Sequence, residues 1–387
     1  MTQPVLLAQP TPVAQRATGP DLARGLMLLL VAVVNVAIYL HGRPYGFRQH
    51  VVEAEPIDRI TAAVVTVLAD GRAYPMFAAL FAYGLVTTWK RQHANGTLEQ
   101  VARASLRRRH LWMIAFGAVH AALLFSGDIL GLYGLMGLIL VRFLRVSDRV
   151  LLWTAATWLL VSSAAIGFTY TDAGPYTERR LFWSFENSDI PTVVALRGIE
   201  WLMTPVGMAT VFSAMLVVIW AARRDVMTDP GRHRRLLRRT AACGLTVAVI
   251  GGIPAGFLVG GLWHPAPFMT YLVACVHLAT GVAGGIGYGA LIALCARRPV
   301  SGVVTGALVA GGRRSLSMYL MQSTLFGVIL MPYALDAGRW LSTFQATVLA
   351  TLVWVGTLVS AVWMERRGIR GPAEVLLRRL TYGRRAH

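Results

Sequence analysis

Residues 22–41 read LARGLMLLLVAVVNVAIYLH, an apolar run interrupted by a single arginine. A helix rises about 1.5 Å per residue, so roughly 20 apolar residues cross a hydrocarbon core about 30 Å thick. The run therefore predicts a membrane-spanning helix. Runs of similar character recur along the chain, and the predicted spans are 22–41, 72–89, 110–127, 129–144, 149–169, 192–221, 238–262, 268–295, 314–332 and 342–363.

The composition agrees with a protein embedded in lipid. Of the 387 residues 56% are hydrophobic and only 14% are charged, whereas a soluble domain averages about 25% charged residues. We predict an all-α fold, a polytopic transmembrane helix bundle of about ten spans. The stretch 57–69 is too short to cross and is predicted to be an interfacial or re-entrant helix. The bundle would occupy 21–365, between a disordered N-terminus at 1–20 and a basic tail at 366–387.

The basic residues occur in every second gap between the predicted spans. Lys and Arg are enriched in cytoplasmic loops of membrane proteins, so these gaps are predicted to be cytoplasmic, with both termini. The formal charge of +19 then serves topology and contact with anionic lipid, not nucleic acid. We expect a multi-pass protein of a bacterial cell membrane; a homodimer is left open. The clusters are Lys90, Arg91, Arg103, Arg107, Arg108 and Arg109; Arg223, Arg224, Arg232, Arg234, Arg235, Arg238 and Arg239; and Arg366, Arg367, Arg370, Arg378, Arg379, Arg384 and Arg385.

No soluble-enzyme or metal motif stands out. The chain lacks a P-loop, GxSxG, HExxH and a dinucleotide fingerprint. Cys243, Cys275 and Cys295 fall inside predicted spans without CxxC or histidine spacing, so we predict neither disulfides nor a metal site, and no bound cofactor. Any catalysis would use groups inside the membrane.

Glycines recur at every fourth position in two predicted spans. A spacing of four keeps them on one helix face, where backbones approach closely. Tight packing of these spans against each other or a neighbour is favoured over a substrate path. The stripes are Gly252, Gly256 and Gly260, then Gly281, Gly285 and Gly289.

Polar residues in the first span share one face. Arg24 and Asn35 are 11 residues apart, which leaves them about 20° out of register at 100° per residue. Tyr39 extends the stripe, and Asp21 can pair with Arg24 across one turn. An interfacial anchor with an interhelical hydrogen bond and a functional role are equally compatible with this pattern.

His120 lies near the middle of the third predicted span, and Asp128 follows in the turn to the next span. Such a pair suits proton handling, general-base catalysis or cation binding. His277 has no polar neighbour at helical spacing and is predicted to be structural.

The ninth span carries Ser315, Tyr319 and Gln322 on one helical face, with Arg313 and Arg314 at its cytoplasmic mouth. This stripe predicts either interhelical contacts or the wall of a polar cavity. Because polar groups facing lipid are costly, we expect one shared interior cavity. Its lining would comprise Arg24, Asn35, His120, Asp128 and Gln322.

Several segments together resemble the YeiB-like family, whose diagnostic region is the domain of unknown function numbered 418. The match spans nearly the whole chain. The segments are Asp21-Leu-Ala-Arg-Gly25 to Asn35, Arg72-Ala-Tyr-Pro-Met-Phe77 to Phe81-Ala-Tyr-Gly84, Phe116-Gly-Ala-Val-His120, Gly127-Asp-Ile-Leu-Gly-Leu-Tyr133, Gly312-Arg-Arg-Ser-Leu-Ser-Met-Tyr319 with Gln322, Gly371-Pro-Ala-Glu374, and Leu380-Thr-Tyr-Gly383.

YeiB-like proteins are similar to a superfamily of transmembrane acyltransferases that includes the lysosomal heparan-glucosaminide N-acetyltransferase. The resemblance implies a bundle in which acyl-CoA, as co-substrate, enters from the cytoplasm. In that enzyme an Asn in the first span and a His shortly after it are implicated in chemistry. Asn35 matches the Asn; His41 and His50 both fall in the following loop, and neither matches the His securely.

Three functions are consistent with the sequence. An acyltransferase would use Asn35, Asp128 and one of His41, His50 or His120 for chemistry, acting on a small or envelope acceptor. A proton-coupled transporter of a small molecule would use His120 and Asp128. A receptor or assembly factor needs none of these groups. The predicted substrate-binding residues are Arg24, Tyr39, Tyr133, Arg313, Arg314, Ser315, Tyr319 and Gln322; Arg72, another candidate for CoA phosphates, is predicted on the outer side.

Overall fold

The computed structural model describes residues 18–296 and 302–383. Within these residues the chain forms fourteen α-helices and no named strand. The first seven are α1 (Thr18–Ile38), α2 (Pro56–Leu68), α3 (Ala73–Ala94), α4 (Glu99–Leu123), α5 (Ile129–Phe143), α6 (Asp148–Gly167) and α7 (Ile190–Gly207). The others are α8 (Val211–Arg223), α9 (Arg234–Val259), α10 (Pro267–Cys295), α11 (Val303–Arg313), α12 (Ser315–Leu330), α13 (Thr343–Arg366) and α14 (Pro372–Tyr382).

The prediction of an all-α transmembrane bundle is confirmed. Six helical stretches of the described chain are long and apolar enough to cross a membrane, and the bent pair α7–α8 makes a seventh. The apolar helices α5, α11 and α12 are shorter. The count of about ten spans and the cytoplasmic termini therefore stay predictions. Most of the predicted disordered segment 1–20 lies outside the described residues, but α1 already begins at Thr18.

Local chemistry explains several helix boundaries. Asp128 accepts hydrogen bonds from the Leu130 and Gly131 amides and so caps α5. Ser342 and Gln345 form a capping box that begins α13. Helix α4 begins before the predicted span 110–127, because the charged residues before 110 continue the helix. Glu99 pairs there with Arg103 one turn on, at 2.6 Å.

The predicted span 192–221 is broken. Helices α7 and α8 meet at a bend of 54°. Pro205 lies inside the last turn of α7. Because proline has no backbone N–H group, one helical hydrogen bond is lost there.

The stretch 57–69 was predicted to be a separate interfacial or re-entrant helix, whereas α2 and α3 together form one candidate span, Pro56–Ala94. Helix α2 packs along α9. At its start the Arg59 guanidinium donates to the Gly260 carbonyl oxygen at 2.6 Å. The break falls at 69–72, inside the bundle. Irregular backbone is tolerated at membrane depth where protein surrounds it.

The glycine stripes surround this break, so the expected close packing falls on the segment 56–76. A Cβ added to Gly256 would lie 2.9 Å from Val67 of α2. One added to Gly285 would lie 2.6 Å from the Met76 amide nitrogen. Helices α9 and α10 themselves approach through Gly244, whose added Cβ would lie 2.6 Å from the Ala283 carbonyl oxygen.

Two of the basic clusters meet at one end of the bundle, which we call the basic end. Lys90 at the end of α3 pairs with Asp225 after α8 at 2.6 Å. Arg223 of α8 pairs with Asp148 at the start of α6 at 2.8 Å. Helix α14, from the predicted basic tail, packs on α4 and α12; residues 384–387 of that tail lie outside the described chain.

Gly285→Ala should destabilise the bundle. The new methyl group would sit 2.6 Å from the Met76 nitrogen and 2.9 Å from the Arg72 carbonyl oxygen. Such overpacking costs about 1–3 kcal/mol, so the midpoint of thermal unfolding in detergent should fall. Gly289→Ala is the matched control, because no atom lies within 4 Å of its added Cβ and Ala favours helix. Equal midpoints for the two variants would contradict this packing.

Candidate functional site

A cavity of about 150 Å³ lies between α1, the α2–α3 break and α7. We call it the polar pocket. It is smaller than the 300–1,000 Å³ or so of sites for drug-sized ligands, so it fits a small molecule or the end of a larger one. Its polar lining consists of Arg48, Gln49, His50, Asp70, Tyr74, Tyr170, Arg179, Glu200 and Thr204.

Asp70 is the centre of the charge in this pocket. Arg48 donates to both of its carboxylate oxygens, at 2.7 and 3.1 Å. The Nε2 atoms of His50 and His277 each lie 3.7 Å from Asp70 Oδ2. One buried carboxylate therefore faces a permanent cation and two imidazoles. Intramembrane ionisable groups arranged in this way typically mark a substrate or proton path.

The loop that brings Arg48 to the pocket is strained. Arg48 and Gln49 have φ angles of 56° and 64°, in the left-handed region. Such non-glycine residues persist where the surroundings fix them, often at functional sites. Burial disfavours the Arg48 cation, but the Asp70 carboxylate raises the pKa of Arg48 above its ordinary value.

Arg72 satisfies the backbone at the helix break. Its guanidinium donates to the carbonyl oxygens of Asp70 and Ala248, each at 2.6 Å, and lies 3.0 Å from a ring nitrogen of His277. Arg72 was predicted on the outer side of the membrane, and the side on which it lies stays a prediction. The break turns it into the bundle, where it is fully buried. His277, predicted to be structural, belongs to this cluster.

Arg179 supplies a donor on the opposite side of the polar pocket. Its Nε donates to Glu186 at 2.9 Å, and its Nη2 donates to the Leu40 carbonyl oxygen. Its Nη1 is buried without a hydrogen-bond partner in the described structure. Nearby, both carboxylate oxygens of Glu200 accept from Ser184, each at 2.7 Å. Both oxygens of Glu200 are therefore occupied, whereas Arg179 has one nitrogen without a hydrogen-bond partner in the described structure.

Asn35 and Tyr133 do not line the pocket, but both form hydrogen bonds with Tyr74, which does. The Tyr74 hydroxyl donates to Asn35 Oδ1 at 2.6 Å. The Tyr133 hydroxyl donates to the Tyr74 carbonyl oxygen at 2.9 Å. Both residues were predicted from the sequence; here Asn35 bonds the side chain of a pocket-lining residue and Tyr133 bonds its backbone.

His120 and Asp128 form a hydrogen bond, as their spacing indicated, and Ser323 forms a second hydrogen bond with His120. His120 Nδ1 lies 2.9 Å from Asp128 Oδ1, and its Nε2 lies 2.9 Å from Ser323 Oγ. All three residues are buried. Ser323 lies one turn beyond Tyr319, on the same face of α12. Extending the stripe of Ser315 and Tyr319 by another turn would have found it.

The other predicted residues lie apart from the pocket lining. His41 Nδ1 is 2.9 Å from the Tyr39 carbonyl oxygen, and its Nε2 is 2.8 Å from Asp336 Oδ1. The Tyr39 ring stacks on Phe125 with a centroid distance of 5.6 Å, and its hydroxyl is buried without a partner in the described structure. Both amide atoms of Gln322 are likewise buried and unpartnered there.

The predicted phosphate-binding arginines are paired at the basic end. Arg24 contacts Asp21 at 3.0 Å. Arg313 and Arg314 contact Glu365 at 2.7 and 2.5 Å, and Ser315 begins α12 beside them. Ten residues of α1, about 15 Å of helix, separate Arg24 from Val34 at the pocket. None of the five residues predicted to share one interior cavity lines this pocket, so the shared cavity stays a prediction.

Comparison with known proteins finds one matching family model and several similar proteins. Residues 221–384 match the family model described as "Protein of unknown function (DUF418)". The chain is 24% identical to the uncharacterized protein YxaH of Bacillus subtilis, with 97% of this chain and 96% of YxaH aligned. It is 22% identical to the uncharacterized protein YeiB of Escherichia coli, with 95% and 96% aligned. The C-terminal part of the chain therefore matches the DUF418 model, and nearly the whole chain is similar to YxaH and YeiB.

The matched region of this YeiB-like protein, residues 221–384, holds only part of the site. It contains His277 and Ser323. The residues that line the pocket precede this region. The contact of His277 with Asp70 and that of Ser323 with His120 therefore each join the matched region to the preceding part of the chain.

Asp70→Asn should strongly destabilise the YeiB-like bundle. The change leaves the Arg48 cation buried without its carboxylate, and loss of one partner of a buried pair costs about 3–5 kcal/mol. Thermal unfolding in detergent would measure this. Asp172→Asn is the control, since Asp172 and Arg180 are half exposed and such pairs contribute about 0–1 kcal/mol. An unchanged midpoint for Asp70→Asn would refute the role of Asp70.

Proposed function

We propose that this YeiB-like membrane protein is an acyltransferase. It transfers an acyl group from acyl-CoA to a small or envelope acceptor whose nucleophilic group enters the polar pocket. The observation that carries the proposal is the position of His50. It lines the pocket, with Nε2 3.7 Å from the Asp70 carboxylate. His41 and His120 are outside the lining.

His50 and Asp70 have the chemistry of a general base and its orienting carboxylate. With Nε2–H directed at Asp70, Nδ1 is free to take a proton. The acceptor hydroxyl or amine gives its proton to His50 as its oxygen or nitrogen attacks the thioester carbonyl carbon. The carbon–sulfur bond breaks, and the CoA thiolate leaves with the proton from the imidazolium.

Two further groups support this chemistry. The unpartnered Nη1 of Arg179 can donate to the carbonyl oxygen as negative charge develops on it. Asn35 holds the Tyr74 hydroxyl at 2.6 Å and so fixes a side chain of the pocket wall. Asn35 is thus a positioning residue, consistent with the resemblance to the transmembrane acyltransferases.

Replacing His50 by Ala should abolish turnover with little change in fold. Loss of a general base costs about 10²–10⁴ in rate. The assay follows thiol release from acetyl-CoA by purified protein with a panel of small alcohols and amines. His264→Ala is the control, because His264 lies exposed in the loop before α10. The proposal fails if His50→Ala keeps full turnover, or if the wild type neither binds a CoA ester nor releases thiol.

A second candidate function, proton-coupled transport, is favoured by the helix breaks. Both the α2–α3 break at Asp70 and the end of α7 at Gly207 and Met208 line the pocket. Transporters commonly place substrate at such discontinuous helices near mid-membrane. The charge pairs of Asp70 with His50 and of Asp128 with His120 offer sites for a coupled proton.

Transport is tested in proteoliposomes that carry a pH gradient and contain no acyl donor. A transporter should accumulate one of the same small alcohols or amines chemically unchanged. Accumulation should collapse with the gradient and fall at least tenfold in Asp128→Asn. Wild-type uptake equal to that of empty liposomes for every compound would refute transport of this panel and leave the acyltransferase.

A further inference from the structure

A second group of reactive side chains lies outside the polar pocket. Ser323 Oγ, the His120 ring and the Asp128 carboxylate form a hydrogen-bonded chain, with both links at 2.9 Å. With Nδ1–H directed at the carboxylate, Nε2 accepts the serine hydroxyl proton. These are the relations of nucleophile, base and orienting acid in serine hydrolases and acyltransferases.

The carboxylate is fixed by more than the histidine. Asp128 also accepts the Leu130 amide at 3.1 Å, the Gly131 amide at 2.6 Å and the Trp201 indole at 3.4 Å. A carboxylate satisfied on both oxygens holds His120 in one tautomer and orientation. Its helix-capping bonds belong to α5, so the acid lies on a rigid element.

Two more groups argue against simple packing. The Tyr319 ring lies 4.9 Å from the His120 ring, one turn before Ser323 on α12. Its hydroxyl is buried, and both atoms of the Gln322 amide are buried with no hydrogen-bond partner in the described chain. Polar atoms left unpaired in an apolar bundle are costly. Hydrogen-bond donors beside an activated serine are also the groups that stabilise an oxyanion.

The hydrogen-bonded side chains of Ser323, His120 and Asp128 lie directly behind the wall of the polar pocket. Gly127 lines the polar pocket and Asp128 is the next residue. Thr204, also in the lining, donates to the Ser126 carbonyl oxygen at 3.3 Å. Only the Ser126–Gly127–Asp128 turn separates the two sites.

We propose that Ser323 is a nucleophile, activated by His120 and Asp128, that takes an acyl group from a small ester or thioester. In this step Ser323 Oγ bonds to the carbonyl carbon and gives its proton to His120 Nε2. The bond to the alkoxide or thiolate then breaks, and His120 returns the proton to that leaving group. The inference is independent of His50.

Diisopropyl fluorophosphate tests the nucleophile directly. Its phosphorus–fluorine bond should break as Ser323 Oγ bonds to phosphorus, with the serine proton passing to His120 and fluoride leaving. Purified full-length protein in detergent is treated with the reagent, digested and examined by mass spectrometry. We expect one adduct, on the peptide that contains Ser323, and none in Ser323→Ala. His120→Gln and Asp128→Asn should slow labelling by about 10²–10⁴-fold.

Two controls keep the test specific. Ser213 of α8 is also buried, and its hydroxyl has no partner in the described structure, so Ser213→Ala should label normally. His50→Ala should also label normally, which separates this result from the fate of the acyltransferase proposal. Gel filtration shows which variants are folded. Folded wild type without an adduct on Ser323, or equal labelling rates in folded His120→Gln, would overturn the inference without requiring any other variant to fold.

Discussion

The break between α2 and α3 is the constraint around which the bundle is arranged. Four residues, 69–72, leave helical geometry inside the protein, and lipid offers their backbone no hydrogen bonds. Backbone bonds within the turn satisfy several of these groups. The Arg72 guanidinium donates to the Asp70 carbonyl oxygen and ties the break to α9 through the Ala248 carbonyl oxygen. Helices α9 and α10 enclose the Arg72 guanidinium at the break and keep it away from lipid. The glycines of those helices are the reason that backbone comes so close to the break.

The same break creates the chemistry of the pocket. A continuous helix would bond the Asp70 backbone internally and carry its side chain along a regular face. The interruption instead places the carboxylate where Arg48 and two histidines converge on it. Arg48 lies in a strained loop and has a left-handed backbone conformation. Its ion pair with Asp70 therefore joins this loop to the helix break. The residues that hold the break together are therefore also residues that line the pocket or contact its carboxylate.

The sequence predicted the elements better than the contacts between them. Apolar length located the helices, and the spacing of His120 and Asp128 indicated a pair that the structure bonds at 2.9 Å. Their separation of eight residues, across one tight turn, made that contact local. Ser323 and His120 are 203 positions apart, and no periodicity links two helices at that distance. Only the side-chain contacts between α4 and α12 in the folded chain reveal it.

Asp70 was missed for a different reason. In the sequence Asp70, Gly71 and Arg72 look like a loop between two apolar runs, because charges and glycine usually mark the edge of a span. That interpretation assumes that a hydrophobic run ends at the membrane surface. Here the run ends at a helix break inside the bundle, where Asp70 and Arg72 are buried. The same assumption hid the contact of Arg72 with the Asp70 carbonyl oxygen.

Helix α7 links the two sites mechanically. Thr204 lines the polar pocket, and Trp201, one turn earlier, donates to Asp128. The bend of 54° to α8 follows within a turn of Thr204. Hinges are commonly such element ends, where a few residues absorb a change in backbone angles. The same turn of α7 thus contacts both the polar pocket and the carboxylate of the buried serine, histidine and aspartate.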